Sequence, residues 1–222
     1  MADMSLTLST EEGRAKELYF VRHGETEWNA IRRMQGQWNS DLNDLGRRQA
    51  DANGQFLQHL GIEQMVASPL DRTRQTAEII DQYLQISFST DARIKEWHCG
   101  DWSGEMWDQV PDKWPEEFAA WQADQFNYRG PGTENYPDMI ARATPFLKEL
   151  LANPYRKIAV VSHGMIGRVM VGTLLGMSPA EMLSFSQAND TVLHLTQRNQ
   201  TFVSQHYVGG DGPLSGLPPR SY

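Results

Sequence analysis

The chain has 222 residues, of which 40% are hydrophobic and 22% charged, and its formal net charge at pH 7 is -8. This length suffices for one α/β domain with a complete core, and the composition is that of an ordinary soluble globular protein. The acidic balance argues against nucleic acid or an anionic membrane as a partner, because either would need a basic surface.

The remaining bulk features favour a cytoplasmic protein. The single cysteine, Cys99, cannot form an internal disulfide and fits a reducing compartment. Residues 1–17 are polar and charged and lack the apolar core of a signal peptide, so we expect a flexible leader there. No apolar run approaches the length that would cross a membrane.

The first predicted elements are a strand over 18–22 and a long ordered loop from Gly24 to Asp44. Asn43 or Asp44 then caps a helix that Gly61 ends. Apolar periodicity gives this helix an inner face, made of Leu45, Gln49, Ala52, Phe56 and Leu60.

A second strand over 64–68, a helix from about Asp71 and a short strand over 86–89 come next. The helix has an inner stripe, made of Ala77, Ile80 and Leu84.

The stretch between Glu96 and Tyr136 differs in character because it holds five tryptophans, Trp97, Trp102, Trp107, Trp114 and Trp121. Trp114, Phe118 and Trp121 have helical spacing. We therefore predict that residues 105–130 are a helical, Trp-rich insertion over the active site.

The last third of the chain begins with a helix from about 135 to 151, the strand 158–162 and a helix to 175. Residues 191–197 and 201–207 alternate and predict a hairpin, and 209–222 is predicted to be a flexible tail. Strands interleaved with helices predict an α/β fold, a three-layer α/β/α sandwich with a mostly parallel central sheet, in one domain over 18–208.

Two of the predicted strands end in His-Gly, at His23 and His163. Ligands of open α/β sheets lie outside the carboxyl ends of the strands, so both imidazoles are expected in one crevice. Arg22 directly precedes the first histidine, and Arg72 lies in the first turn of the helix after another strand. Two imidazoles and two guanidiniums together describe a site for a phosphoryl group.

Cleavage of a phosphate ester needs a nucleophile, cations for the phosphoryl oxygens and a proton for the leaving oxygen. His23 is the better nucleophile, because Arg22 flanks it and because Gly24, Thr26 and Asn29 follow it as donors to phosphate oxygens. The product of its attack would be a phosphohistidine, which water then cleaves.

The other groups complete this scheme. His163 is the second, clamping imidazole, and Arg72 binds phosphate oxygens through its planar fork. Glu96 is the predicted proton donor, and we expect aromatic cover and the adjacent phosphate to keep it protonated.

Two other chemistries are disfavoured by residue spacing. The Cys-x5-Arg loop of cysteine phosphatases would need arginine at position 105, where the chain has Glu105, so we predict that Cys99 is inert. The remaining histidines and acids lack metal-binding spacing such as His-Glu-x-x-His, so we predict a mechanism without metal or cofactor.

The joint pattern resembles the histidine phosphatase superfamily, in its phosphoglycerate mutase-like branch. The match runs from about Leu18 to Tyr207, and its motifs are Arg22-His23-Gly24-Glu25-Thr26, Ser68-Pro69-Leu70-x-Arg72-Thr73 and Ser162-His163-Gly164.

The resemblance implies roles for individual residues. It implies that His23 is phosphorylated and that Glu96 is the general acid. The phosphoryl group is then bound by Arg22, Arg72 and His163. Asn29 and the Gln35-Gly36 turn are implied to line the pocket. Met165 replaces the Gly or Asn of many relatives beside that pocket, so the resemblance does not extend to the substrate.

Three functions compete. A phosphatase acting on a small phosphorylated metabolite is favoured, because residues 105–130 contain only Lys113 and Arg129 to neutralise a second anionic group. A cofactor-dependent phosphoglycerate mutase, which must hold a bisphosphate and exclude water, is the alternative. A non-catalytic phospho-ligand binding protein is disfavoured, because all expected catalytic residues are present. The oligomeric state is left open, with a homodimer as one alternative.

Overall fold

The computed structural model describes residues 15–220. At the centre of the fold is a seven-stranded mixed sheet with the strand order β3-β2-β4-β1-β5-β6-β7. The strands are β1 (Glu17–Arg22), β2 (Gln64–Ala67), β3 (Phe88–Thr90), β4 (Lys157–Ser162), β5 (Thr191–Arg198), β6 (Thr201–Val208) and β7 (Asp211–Ser215). Strands β1 to β4 pair in parallel, whereas β5 to β7 extend the sheet as antiparallel neighbours. The expected α/β fold with mostly parallel central strands is confirmed.

Helices cover both faces of this sheet. They are α1 (Glu27–Ala30), α2 (Asp44–Leu57), α3 (Asp71–Leu84), α4 (Val110–Lys113), α5 (Pro115–Ala123), α6 (Tyr136–Ala152), α7 (Gly164–Leu174) and α8 (Pro179–Leu183). No helix within residues 15–220 is both long and apolar enough to span a bilayer.

Alternation along β1 builds the two layers of the core. Leu18 and Phe20 join the cluster that includes α6 and α7, whereas Tyr19 and Val21 join the cluster under α2 and α3. Successive side chains of a strand point to opposite faces, so one buried strand serves both layers. The parallel order also brings the carboxyl ends of β1, β2 and β4 to one edge of the sheet, which is where the site lies.

The inner face of α2 differs from the expected one. Leu45 is 41% exposed, and the buried positions are Gly46, Ala50, Asn53, Gly54 and Leu57. A Cβ atom on Gly46 would lie 2.0 Å from the carbonyl oxygen of Glu25. The helix therefore packs through small residues that let its backbone approach the loop after β1, and an apolar pattern cannot show such a face. Of the two predicted caps of α2, Asn43 takes the position and accepts a hydrogen bond from the backbone N–H of Gly46, whereas Asp44 is the first residue of the helix.

The two ends of the chain also need correction. The predicted leader falls mostly on residues 1–14, which lie outside the described residues, whereas Lys16 is buried and Glu17 begins β1. The predicted flexible tail over 209–222 contains β7, which pairs with β6. Gly209 and Gly210 turn the chain between these strands with φ of 58° and 88°, and this Gly-Gly pair is the hairpin signal that the prediction overlooked.

Candidate active site

A cavity of about 430 Å³ opens at the carboxyl edge of the parallel strands. Its walls come from β1, from the loop over 29–36, from α3, from the Trp-rich segment and from α7. The residues predicted for catalysis that line it are Arg22, His23, Arg72 and Glu96. Trp107 and Trp121, from the 105–130 segment, line the same cavity.

His23 follows the last residue of β1 and is only 3% exposed. Its Nδ1 lies 2.8 Å from the carbonyl oxygen of Gly24, and its Nε2 lies 3.2 Å from Nε of Arg72. A carbonyl accepts and a guanidinium donates, so these contacts assign the proton to Nδ1 and the lone pair to Nε2. The assigned tautomer presents Nε2 as a nucleophile.

His163 is fully buried beside His23, with the two ring centroids 5.2 Å apart. Nε of Arg72 lies 3.2 Å from Nδ1 of His163, and Nε2 of His163 lies 2.8 Å from Oγ of Ser68. His163 therefore carries its proton on Nε2, and this N–H donates a hydrogen bond to Oγ of Ser68. One guanidinium N–H is shared by the lone pairs of both imidazoles.

The electrostatics keep both imidazoles neutral. Burial lowers the pKa of His23 well below its ordinary value, and the charges of Arg72 and Arg22 lower that pKa further. The pKa of His163 is lowered well below its ordinary value, first by burial and then by Arg72. Both rings are buried and lie beside positive charge, and each of these conditions disfavours a protonated imidazole.

Carbonyl oxygens hold the two arginines in place. Arg72 is 1% exposed, and its Nη1 and Nη2 donate to the carbonyls of Trp38 and Gly36 at 2.8 and 2.7 Å. Nη1 of Arg22 donates to the carbonyl of Gln187 at 2.7 Å, and its buried Nε has no partner within residues 15–220. An unpartnered buried N–H is costly, and an anion in the cavity would satisfy it.

Glu96 lies at the N-terminus of α7. Its Oε1 accepts the backbone N–H groups of Trp97 and Ile166 at 2.9 and 3.1 Å, and its Oε2 accepts that of Met165 at 3.1 Å. Two of these three donors, the N–H groups of Met165 and Ile166, belong to the first turn of α7, so the helix N-terminus fixes the carboxyl group at the cavity wall.

The predicted substrate-binding residues fall into two groups. Asn29, Gln35, Gly36 and Met165 line the cavity. Thr26 does not: it is fully buried and caps α1, accepting the backbone N–H of Asn29 at 3.0 Å.

Gly24 also lies outside the cavity wall. Its N–H donates to Oγ1 of Thr76 at 3.1 Å, and a Cβ on it would lie 2.1 Å from the carbonyl oxygen of Gly46. The glycine therefore allows close packing against α2 and orients the loop behind His23.

Two residues that position the predicted catalytic groups, Asn189 and Gln187, were not predicted from the sequence. Nδ2 of Asn189 donates to the carbonyl of His23 at 2.7 Å. Gln187, which holds Arg22 through its carbonyl, is itself fixed by side-chain hydrogen bonds to Phe20 and Thr191. Both residues lie just before β5, in a segment that carries no recognisable sequence motif. Only the pairing of β5 with β1 brings them to the site.

The cavity is also far more basic than the 105–130 segment indicated. The described residues that line it include six arginines, Arg22, Arg32, Arg33, Arg72, Arg168 and Arg220. Lys113 and Arg129, the basic residues within 105–130, pair with Glu105 and Asp138 and do not line the cavity. The argument that a second anionic group would be poorly neutralised therefore fails, because its cations come from other segments.

Cys99 lines the cavity wall next to Gly36. Burial raises the pKa of this thiol to about 12, and Glu96 adds to the rise. A thiol that keeps its proton is a poor nucleophile, which supports the prediction that Cys99 is inert.

Comparisons with known proteins identify relatives of the whole domain. The chain is 32% identical over 190 residues to phosphoserine phosphatase 1 of Hydrogenobacter thermophilus, covering 84% of this chain and 90% of the relative. It is 38% identical over 162 residues to a protein of Erwinia tasmaniensis named "Probable phosphoglycerate mutase GpmB", and the match covers 72% of this chain and 75% of the relative.

Solved structures give the same result. The fold matches a mycobacterial glucosyl-3-phosphoglycerate phosphatase in complex with VO3 with a TM-score of 0.77 and 29% identity, covering 89% of this chain and all of that one. The family model described as "Histidine phosphatase superfamily (branch 1)" matches residues 18–208. The chain therefore belongs to branch 1 of the histidine phosphatase superfamily.

Proposed function

We propose that the protein is a phosphomonoesterase, which transfers the phosphoryl group of a small phosphorylated metabolite to His23 and then to water. The observation that carries the proposal is the unprotonated Nε2 of His23, held 3.2 Å from the Arg72 guanidinium inside a cationic cavity. A neutral imidazole is a competent nucleophile, and the surrounding guanidiniums stabilise charge on the phosphoryl oxygens. A phosphatase is also the named activity of the Hydrogenobacter and mycobacterial relatives.

In the first step a bond forms between Nε2 of His23 and phosphorus, and the bond from phosphorus to the leaving oxygen breaks. The positive charge that develops on the ring is stabilised by the Nδ1–H contact with the Gly24 carbonyl. Arg72 and Arg22 bind the equatorial oxygens, since each retains guanidinium N–H groups beyond those that bind carbonyls. The leaving oxygen needs a proton, which Glu96 supplies.

The ester itself supplies that proton. A phosphate monoester has a second pKa near 6, so its monoanion carries one proton into the cavity that Glu96 lines. In the proposed cycle this proton passes through Glu96 to the leaving oxygen. In the second step water attacks phosphorus, its proton passes to Glu96, and the bond to Nε2 breaks. This returns His23 to its neutral state.

A phosphoglycerate mutase is the second candidate, and the arginine-rich cavity favours it. A mutase holds a bisphosphate, and six arginines can neutralise two anionic groups. The Erwinia relative has that name. Incubation with 3-phosphoglycerate and bisphosphoglycerate separates the candidates, because a mutase forms 2-phosphoglycerate faster than free phosphate.

A cytoplasmic location is part of the proposal, supported by the buried free thiol of Cys99.

Phosphate release from a panel of monoesters in excess chelator tests the proposed function. The panel comprises p-nitrophenyl phosphate, phosphoglycerates, sugar phosphates and a nucleoside monophosphate. We expect chelator-resistant turnover that falls by at least roughly 10³-fold in His23→Ala, because the nucleophile is lost. The exposed imidazole of His59 provides the control, and His59→Ala should keep full activity. Turnover that chelator abolishes, or that survives in His23→Ala, would contradict the proposal.

Titration of the imidazole nitrogens by ¹⁵N NMR tests the neutral nucleophile. Burial lowers the pKa values of His23 and His163 well below 6.5, so both rings should stay neutral through the pH range in which an exposed imidazole becomes protonated. Resonances are assigned with His23→Asn and His163→Asn. A midpoint near 6.5 for His23 in the free protein would show that the ring is charged too readily for this role.

The effect of Glu96→Gln should depend on the leaving group. An alkyl oxygen leaves only with a proton, so kcat/KM for glycerol 3-phosphate should fall by roughly 10²- to 10⁴-fold. The p-nitrophenolate ion leaves without one, so its ester should lose less than about 10-fold in kcat/KM. Glu78→Gln, at an exposed position of α3, serves as the control. Equal losses on both esters would exclude Glu96 as the proton donor.

A further inference from the structure

The cavity carries a second cationic centre, Arg168, that the phosphoryl transfer does not use. We propose that the substrate bears a carboxylate in addition to its phosphate and that the guanidinium of Arg168 binds this carboxylate. The inference rests on the proposed function and adds the class of ester that the site selects.

Charge balance gives the first argument. Glu96 is the only carboxylate among the described residues that line the cavity, against six arginines. Arg32 has a partner in Asp108 at 3.1 Å, whereas no described carboxylate forms an ion pair with Arg168. The pKa of Arg22 is lowered first by burial, and the negative charge of Glu96 opposes this shift. The positive charge of Arg168 lowers the same pKa further, which shows that the guanidiniums of Arg22 and Arg168 repel each other. One dianionic phosphate leaves part of this positive charge uncompensated.

The hydrogen bonds of Arg168 give the second argument. Its Nη1 donates to the hydroxyl oxygen of Tyr136 at 2.8 Å, and Tyr136 is buried in the core. Its Nε is buried without a hydrogen-bond partner within residues 15–220. With Nη1 held by Tyr136, the unused edge of the fork consists of Nε and Nη2. Two parallel N–H groups on that edge match the two oxygens of a carboxylate.

The shared cavity limits the size of the substrate. Arg168 lines the same cavity of about 430 Å³ as Arg22 and His23, and its charge acts on Arg22. A carboxylate at Arg168 and a phosphoryl group at His23 would therefore belong to one small molecule. The class is a small phosphorylated carboxylic acid.

A second guanidinium reaches the same wall from the end of the chain. The side chain of Arg168 lies over Phe185, with Cζ 5.9 Å from the ring centroid. The N–H of Arg220 donates to the carbonyl of Ser184 at 3.0 Å, and its Nη1 donates to Oε1 of Gln125 at 3.0 Å. The segment after α8 thus positions both arginines, and the residues after β7 complete this part of the cavity.

Matched esters with and without a carboxylate test the proposal. O-phosphoserine is compared with O-phosphoethanolamine, and 3-phosphoglycerate with glycerol 3-phosphate, by kcat/KM for loss of the ester. The wild type should prefer the carboxylate member of at least one pair by roughly 10-fold or more, as expected for a charge-assisted bidentate contact. Arg168→Met should abolish that preference, so its loss in kcat/KM should be roughly 10-fold larger for the carboxylate member than for the partner lacking the carboxylate.

Three further variants separate recognition from folding. Arg168→Lys keeps the charge without the fork and should recover only part of the preference. Arg198→Met, at an exposed position at the opposite end of β5, should behave as wild type. If thermal melting shows that Arg168→Met is unfolded, Arg220→Met is used instead. This variant removes the second guanidinium of the same cavity wall and should reduce the preference for the carboxylate ester.

The outcomes distinguish this inference from the proposed function. Hydrolysis of both members of each pair at equal rates, or equal losses on both in Arg168→Met, would overturn the carboxylate assignment and leave the phosphatase intact. A preference for fructose 1,6-bisphosphate over every carboxylate ester would show that Arg168 binds a second phosphate, and would also overturn the carboxylate assignment. No turnover of any ester would refute the proposed function itself.

Discussion

One N–H group, on Nε of Arg72, organises the site. It lies 3.2 Å from the lone-pair nitrogens of both His23 and His163. This shared donor fixes the tautomers of two imidazoles and places a cation where phosphoryl oxygens would bind. It also disfavours protonation of either ring, because a protonated ring would place a second positive charge beside the guanidinium. The pKa of the His23 imidazole is therefore lowered first by burial of the ring and then by the guanidinium beside it.

Holding a buried guanidinium in that position constrains the surrounding fold. Arg72 stays in place because the loop after α1 turns inward and presents the carbonyls of Gly36 and Trp38. Gly36 has φ of 48°, and a Cβ on it would lie 2.3 Å from Sγ of Cys99. The loop, the buried thiol and the arginine are thus packed as a unit. This packing accounts for the position of a buried thiol in the wall of the cavity.

Much of the fold and of the inner site could be predicted from the sequence, because strand ends and His-Gly junctions leave local patterns. Parallel pairing of β1 with β4 suffices to bring His23 and His163 together. The outer cavity could not be predicted, since its arginines come from three separate segments: the loop after α1, helix α7 and the residues after β7. Counting charges only within 105–130 therefore led to the wrong estimate of the cavity's charge. The buried face of α2 was missed for a related reason, because contacts made by small residues carry no hydrophobic signal.

The central claim is that Nε2 of His23 becomes phosphorylated during turnover. Rapid quenching of the protein with a ³²P-labelled monoester, followed by peptide mapping and chromatographic separation of the two phosphohistidine isomers, tests it directly. The account predicts acid-labile, base-stable label on residue 23 with phosphorus on Nε2, because Nδ1 is bound to the Gly24 carbonyl. Label on His163, label on Nδ1 of His23, or multiple turnovers without labelled protein would contradict it.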